Sequence, residues 1–221
     1  MRTPHILALS LGVSSLLATA AIAEKTAAVP TSASFKRLYS ERASASSYLR
    51  SNWNKYDENY HPNYAVDDDH KTAWVEGVDG NGDGQVLIIP TSDVKRARAV
   101  KLGIYNGYQK SKALLEANAA PKDVVVRLRD GTGDEVATKQ VTLNKQLGAQ
   151  EVVVDVPKGK GFSSIEIAVV STHDGKVYKD GCISDVEVSV DTDVAYAAAS
   201  EKAKLAALKS WIADRKAQAK A

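Results

Sequence analysis

The pattern of hydrophobic and polar positions has a period of two through most of the chain. Apolar residues alternate with polar ones in seven short segments rich in β-branched side chains, at 85–89, 99–105, 123–129, 135–143, 150–156, 164–170 and 183–190. Turn-forming pairs such as Asp130-Gly131 and Asp174-Gly175 separate some of them. Because such alternation gives each strand one buried and one solvated face, the pattern predicts an all-β fold, an antiparallel sandwich of the jelly-roll type.

The period becomes helical near residue 195. The segment 195–221 contains neither Gly nor Pro, and apolar residues recur along it at helical spacing: Ala198, Leu205, Leu208 and Ile212, with Trp211 on their flank. We predict an amphipathic helix over 193–221, with N-terminal caps from residues 191–193. The helix either lies on the sandwich or docks a protein partner or an anionic surface, such as lipid head groups or cell-wall polymer.

The N-terminal residues have a different composition. Arg2, an uncharged apolar run over 6–17 and the small-x-small site Ala21-Ile22-Ala23 predict a signal peptide over 1–23. A flexible leader is expected over 24–47, with a short helix within 34–49, and the sandwich over 48–192. No later segment reaches 18 apolar residues. The sequence therefore predicts a secreted or periplasmic protein without a transmembrane segment.

Charge and cysteine content exclude some classes. The formal net charge is only +2, so we expect no nucleic-acid partner. The segment 195–221 nevertheless carries six Lys/Arg and two acids. The single Cys182 cannot form an intramolecular disulfide, and its place at the head of an alternating segment predicts a buried, inert thiol.

Catalytic motifs are not evident. The chain has no GxSxG elbow, and its one SxxK match, Ser92 to Lys95, lacks the companion motifs. His61, His70 and His173 all lie in loop-like contexts without a clear nucleophile. We predict that the protein is not an enzyme.

Two acidic loops are candidates for binding a hard cation. Asp79 to Gly84 resembles the first half of a calcium loop, but Pro90 stands where an EF-hand needs Glu, so a glycine-rich turn into the next strand is the simpler interpretation. Asp67 to Asp69 form either a solvated turn or calcium ligands. His70 has no partner His or Cys at zinc-like spacing, so the sequence predicts no zinc site.

Aromatic and polar side chains gather between residues 53 and 74, among them Trp53, Tyr60, His61, Asn63 and Trp74. Aromatic faces stack on sugar rings, and polar groups beside them bond hydroxyls. The alternative is that about half of these rings cap the core, as we expect for Trp74.

Several blocks occur in the order found in a known family. They are 65–77 with Thr72-Ala-Trp-Val-Glu-Gly77, then Gly82-Asp-Gly-Gln85, Ile104-Tyr-Asn-Gly-Tyr108 with Lys110, Asn118 with Pro121-Lys122, and Ile183 to Val188. The set, over about residues 48–190, resembles the NADase-type glycan-binding domain, a branch of the galactose-binding, discoidin-like β-sandwiches.

The resemblance implies a galactose-binding-like jelly roll and a set of candidate residues. The ligand-binding candidates, with those from the aromatic stretch, are Trp53, Tyr60, His61, Asn63, Glu76, Asn106, Tyr108, Lys110 and Asn118. In related folds a calcium ion sits under the loop, and the matching positions here are Asp67, Asp69, Thr72 and Glu187. This chain departs from the pattern with Asp68 in place of Gly and Asp185 in place of Glu.

Together these features predict an exported, non-catalytic carbohydrate-binding module for a glycan or cell-envelope polymer, with a structural Ca²⁺ as the one candidate cofactor. The alternative is an envelope interaction or structural protein that uses the sandwich surface and the C-terminal helix to hold a protein partner.

Overall fold

The computed structural model describes residues 35–51 and 53–220, which form two antiparallel sheets packed face to face, with a long helix at one side. The elements follow in the order β1 (Phe35–Leu38), β2 (Ser44–Ala45), a 3₁₀ helix (Pro62–Ala65), β3 (Trp74–Val75), β4 (Val86–Val94), β5 (Ala99–Asn106), α1 (Lys112–Ala117), β6 (Ala120–Arg129), β7 (Glu135–Thr142), β8 (Gln150–Asp155), β9 (Phe162–His173), β10 (Cys182–Asp191) and α2 (Ala198–Gln218).

Each sheet is built around one long strand. In the first, the order is β1-β10-β5-β8, and the short β3 also pairs with β10. In the second, it is β2-β4-β9-β6-β7. Val188 faces Leu102 in the first sheet, and Ile167 faces Val126 in the second. The predicted sandwich is confirmed, and all seven segments predicted by alternation contribute strands.

The inward-facing positions form one core. Its largest fully buried side chains come from both sheets, from the 3₁₀ helix and from the residue after β7: Trp74, Tyr64, Phe162, Leu87, Ile89, Leu102, Ile104, Leu128, Leu143, Ile165, Ile167 and Ile183. Trp74 is 1% exposed, and its indole N–H donates to the Ser47 carbonyl at 2.9 Å, which confirms the expected core position.

Helix α2 packs on the sandwich. Leu208 and Ile212 are buried in the core cluster, while Arg215 donates two hydrogen bonds to Glu58, at 2.8 and 2.9 Å. The buried Glu201 accepts from the Tyr39 amide at the end of β1 and from the Ser92 hydroxyl on β4. The helix is therefore held to one strand of each sheet. Within the described ranges, no helix combines the length and apolarity needed to cross a membrane.

Two local predictions are wrong. Residues 35–38, expected in a flexible leader with a short helix, instead form β1, because pairing with β10 in the register Phe35↔Asp191 to Leu38↔Val188 overrides weak local preferences. The predicted caps at 191–193 lie too far upstream, since α2 begins at Ala198 and Asp191 pairs with Arg98. The predicted signal peptide lies outside the described residues.

Candidate functional site

A group of aromatic side chains lies on the loops at one end of the sandwich. We call Trp53, Tyr60, Tyr108 and Tyr178 the loop-end aromatic cluster. Trp53 is 72% exposed and Tyr178 is 52% exposed. The rings of Tyr60 and Tyr108 meet edge to face with centroids 6.4 Å apart, and both pack on a buried floor that includes Cys182. The cluster thus combines two anchored rings with two rings open to solvent.

The phenol groups of Tyr60 and Tyr108 remain protonated at neutral pH. Burial is the main cause that raises the pKa of Tyr60. The neighbouring Cys182 and Tyr178 side chains also raise this pKa, whereas a hydrogen bond with Trp53 lowers it. Burial likewise raises the pKa of Tyr108 to about 12. Both hydroxyls can therefore donate as well as accept hydrogen bonds.

Glu76, a predicted ligand residue, lies inside the loops that carry this cluster. It is 1% exposed, and its carboxylate accepts from the Val78 amide at 2.8 Å and the Gly181 amide at 3.1 Å. Burial raises its pKa. Gly82 has φ +81°, and a Cβ there would meet the Glu76 Cγ at 2.6 Å. Glu76 therefore joins two loops and is not open to a ligand.

A concave surface lies between α2 and the sandwich. This α2 cleft, of about 930 Å³, is lined by residues 39–43, His61, Asn63, 90–92, Lys204, Ala207 and Trp211. The ring centroids of His61 and Trp211 lie 5.1 Å apart, and burial lowers the pKa of His61. His61 Nδ1 accepts from the Asn63 amide at 3.1 Å, and Asn63 Oδ1 accepts from the Ala43 amide at 2.7 Å. Two predicted ligand residues therefore belong to this cleft.

The remaining ligand-binding candidates are not gathered into one site. Asn106 is fully buried and donates to the Pro121 and Asn144 carbonyls at 2.7 and 3.0 Å. Asn118 is buried and donates to the Leu114 carbonyl at 2.9 Å. Lys110 is exposed, two residues after Tyr108. The structure thus gives Asn106 and Asn118 roles in holding loops.

The loop before β3 forms a cluster of oxygen atoms around the Thr72 hydroxyl. Thr72 Oγ1 lies 3.0 Å from both Asp67 carboxylate oxygens, 2.8 Å from the Asp69 carbonyl and 3.4 Å from the Tyr64 carbonyl. Burial raises the pKa of Asp67 to about 7. Asp68, where the family pattern has Gly, has φ 60°, a conformation that Asp tolerates better than most residues.

Glu187 is not part of this oxygen cluster. Its carboxylate contacts Arg37 at 3.4 Å, His70 at 3.7 Å and the Tyr105 hydroxyl at 3.4 Å. In the described part of the chain, the acids that share a possible ion-binding group are Asp185 and Glu187, with His70. The sequence singled out Asp185 only as a departure from the family pattern, and its spacing of two from Glu187 on β10 places both residues on one face.

Comparisons with known proteins show which family the chain is related to. Residues 35–189 match the NAD glycohydrolase translocation F5/8 type C domain, and no curated protein sequence matches the chain. A fucose-binding module of Streptococcus pneumoniae is 18% identical, with 70% of this chain and 94% of that chain covered and a TM-score of 0.45. The family 32 carbohydrate-binding module of C. perfringens NanJ, in complex with galactose, is 14% identical, with 69% and 98% covered and a TM-score of 0.47.

The matched residues include every strand except the last two positions of β10, and they exclude α2. The resemblance read from the Thr72 to Gly77 and Asn106 to Tyr108 blocks is therefore confirmed. The match spans more than half of the chain. The chain therefore belongs to the NAD glycohydrolase translocation F5/8 type C domain family, whose fold is a discoidin-like β-sandwich.

Proposed function

We propose that the chain is an exported, non-catalytic module that binds glycans of a cell surface or envelope through the loop-end aromatic cluster. The observation that carries this proposal is the Trp53 ring, 72% exposed beside Tyr60 and Tyr178 on loops held by a rigid sheet. An indole or phenol face packs against the C–H groups of a sugar, and phenol and lysine groups bond its hydroxyls. Lys110, exposed two residues after Tyr108, is the lysine proposed for this role.

Three observations support binding in preference to catalysis. The only thiol, Cys182, is fully buried, and burial raises its pKa, so it is unsuited to act as a nucleophile. The buried carboxylate of Glu76 already accepts hydrogen bonds from two backbone amides. The family description names translocation and an F5/8 type C domain. Export rests on the pattern of residues 1–23.

The test compares two tryptophans on different surfaces. The folded chain is applied to a glycan array and to cell-wall polysaccharide, together with Trp53→Ala and Trp211→Ala. Trp53→Ala should lower the affinity for the glycan by about 10-fold or more, as loss of a central aromatic contact does. Trp211→Ala, in the α2 cleft, should retain binding once far-ultraviolet circular dichroism shows that it is folded. No binding by the unaltered chain to any glycan would contradict the proposal.

The α2 cleft supports a second candidate function, retention of an envelope protein. The cleft has about 930 Å³ of open space, and Arg42, Lys204 and Trp211 bring charge and an aromatic ring to it. It also includes α2, which lies beyond the residues shared with the family. If Trp211→Ala abolishes capture of an envelope protein while Trp53→Ala does not, this candidate replaces the first.

A structural calcium ion is also proposed, held by the loop before β3. The Asp67 carboxylate and the carbonyls of Asp69 and Tyr64 all lie within 3.4 Å of the Thr72 hydroxyl, so the loop gathers oxygen atoms, which are the ligands that calcium prefers. The buried Asp67 carboxylate, whose pKa is about 7, would gain a compensating charge. Bound there, the ion would fix the turn that leads to Trp74.

A further inference from the structure

A pocket lined by three lysines lies at the same end of the sandwich as the loop-end aromatic cluster. This lysine pocket, of about 490 Å³, is formed by α1, the loop between β7 and β8, and the loop between β9 and β10. Its lining includes Lys112, Lys145 and Lys176, together with Leu115 and Leu147. Small-molecule sites usually have volumes of about 300–1,000 Å³, so the pocket is large enough for a ligand such as a sugar unit.

The lysine pocket and the aromatic cluster share the loop between β9 and β10. Lys176 in the pocket and Tyr178 in the cluster are two residues apart. Their amides donate to carbonyls at the end of α1, at 3.0 Å to Glu116 and 2.8 Å to Ala117. A Cβ at Gly175 would lie 2.6 Å from the Ala117 carbonyl oxygen, so only glycine lets the loop pack this closely on α1. A molecule that contacts Tyr178 therefore has the lysine pocket beside it.

Lys145 is held in the pocket by the backbone on both sides. Its ammonium donates to the Asp174 carbonyl at 2.7 Å and to the Glu116 carbonyl at 3.3 Å. Burial lowers the pKa of Lys145, and the positive charge of Lys176 also lowers it, whereas Asp174 and Glu116 act in the opposite direction. An ammonium group has three N–H donors, so two bonds to neutral carbonyls leave one donor for an anionic ligand.

The acids around the pocket do not neutralise its lysines. Three lysines and two acids line it, which gives a net charge of +1. Glu116 pairs with Lys176 at 2.6 Å, and the Asp174 carboxylate accepts a hydrogen bond from a neighbouring side-chain amide at 3.3 Å. The exposed Lys112 forms no ion pair with the residues that the structure describes. Lys112 and Lys145 therefore bring two ammonium groups without carboxylate partners to one pocket.

We propose that the lysine pocket binds the carboxylate of an acidic sugar unit, so that the glycan held by the loop-end aromatic cluster is an acidic one. This inference rests on the proposed glycan-binding function and names the class of its ligand. Lys112 and Lys145 would hold the carboxylate by charge-assisted hydrogen bonds. Leu115 and Leu147, the latter 51% exposed, would pack against the C–H groups of the sugar ring. One acidic sugar thus matches both the charged and the apolar parts of the pocket.

The test uses two matched pairs of oligosaccharides, sialyllactose with lactose and tetragalacturonate with its methyl ester. Each is titrated into the folded chain by calorimetry. We expect the acidic member of at least one pair to bind at least about 10-fold more tightly than its neutral member, because a hydrogen bond to a charged group supplies that much affinity. This preference should shrink when the salt concentration rises from about 0.05 M to about 0.5 M, since salt screens exposed charges.

Four lysine variants locate the acidic group. Lys112→Gln and Lys145→Gln should each remove most of the preference for the acidic member and leave the affinity for the neutral member unchanged. Lys145→Arg, which keeps the charge, should retain the preference. Lys158→Gln, at an exposed position in the loop between β8 and β9, is the matched control and should behave as the unaltered chain does. Far-ultraviolet circular dichroism confirms that each variant is folded.

The outcomes separate this inference from the function on which it rests. Equal binding of acidic and neutral members, lost in Trp53→Ala, would overturn the role of the lysine pocket and leave glycan binding in place. A preference for the acidic members that Lys112→Gln and Lys145→Gln both retain would also overturn it. Failure of all four oligosaccharides to bind would overturn the acidic-sugar site, and a blank glycan array would overturn the glycan-binding function as well.

Discussion

Glu76 is a loop carboxylate whose partners make it structural. Its two oxygens accept from the amides of Val78 and Gly181, so the loops around residues 76–84 and 174–181 are tied through one side chain. We expect Glu76→Ala to lower the free energy of unfolding by about 2–3 kcal/mol, because two amides lose their acceptor in a buried region. Glu76→Gln, which keeps one acceptor, should lose about half of that.

Urea denaturation measures the Glu76 effect directly. Glu151→Ala is the matched control, because that carboxylate is exposed and pairs only with Lys101, so its removal should cost less than about 1 kcal/mol. Equal stability of Glu76→Ala and the unaltered chain would show that water replaces the carboxylate, and Glu76 would return to the candidates for ligand contact.

The sequence predicted individual positions well where local chemistry decides them. Trp74 is in the core, Cys182 is buried, and Asp68 adopts the left-handed conformation that Gly usually supplies. The sequence did not predict that Glu76 and Asn106 are buried and structural, because their hydrogen-bond partners, Gly181 and Pro121, are distant in sequence. Whether a polar side chain is buried depends on which groups form hydrogen bonds with it. The pattern of apolar and polar residues along the sequence does not contain that information.

Helix α2 is a part of the fold that local pattern described incompletely. Its narrow apolar stripe indicated a surface helix, yet Leu208 and Ile212 complete the core and the buried Glu201 bridges β1 and β4. The apolar stripe can be narrow because polar contacts also hold α2 to the sandwich. Removing residues 195–221 would therefore alter the sandwich itself and is a poor test of partner binding.

The Glu58–Arg215 pair gives this attachment a pH dependence. Hydrogen bonds from Arg215 are the main cause of the lowered pKa of Glu58. Because the folded pKa lies below the ordinary value of 4.5, the pair stabilises the fold above that pH, and its contribution is lost as the pH falls through the lowered value. Glu58→Gln should thus be less stable than the unaltered chain at pH 7, by about 1 kcal/mol for a partly exposed pair, and no less stable near pH 3.

The measurement for Glu58 is the difference in unfolding free energy between the two chains at pH 7, 5 and 3. Acids other than Glu58 titrate in both chains, so their contributions cancel in the difference. A difference that stays constant with pH would show that Glu58 acts through packing and not through its charge.

The architecture of the whole molecule was the most predictable level. Seven alternating segments define most of two sheets, because burial on one face fixes both the strand and its register. The strands that were missed, β1, β2 and β3, have two to four residues, and the missed helix α1 has six. Elements this short form because they pair with distant strands, as β1 pairs with β10. They contain too few residues for a hydrophobic period to be recognised in the sequence.

The same dependence on distant partners separates the two clusters of possible ligand atoms. The oxygen cluster around Thr72 comes from consecutive residues of one loop, so the sequence indicated its main donors. The group of His70, Asp185 and Glu187 needs the sheet to bring β10 under that loop, and the spacing of residues along the sequence does not show it. Local motifs predict sites within one segment, whereas sites between segments require the fold.

Calcium at the Thr72 cluster should stabilise the entire sandwich, because an ion that binds only the native state raises the free energy of unfolding by mass action. Calcium at about 100 times its dissociation constant should add about 2.7 kcal/mol relative to chelator-treated protein. Thr72→Val should remove most of this gain, and the exposed Thr138→Val on β7 should keep it. His70→Ala should also keep it, because His70 contributes no oxygen atom to the Thr72 cluster. Thermal melts with chelator and with saturating calcium are the measurement, and superimposable melts of the unaltered chain would show that the loop is held by the Thr72–Asp67 hydrogen bonds alone.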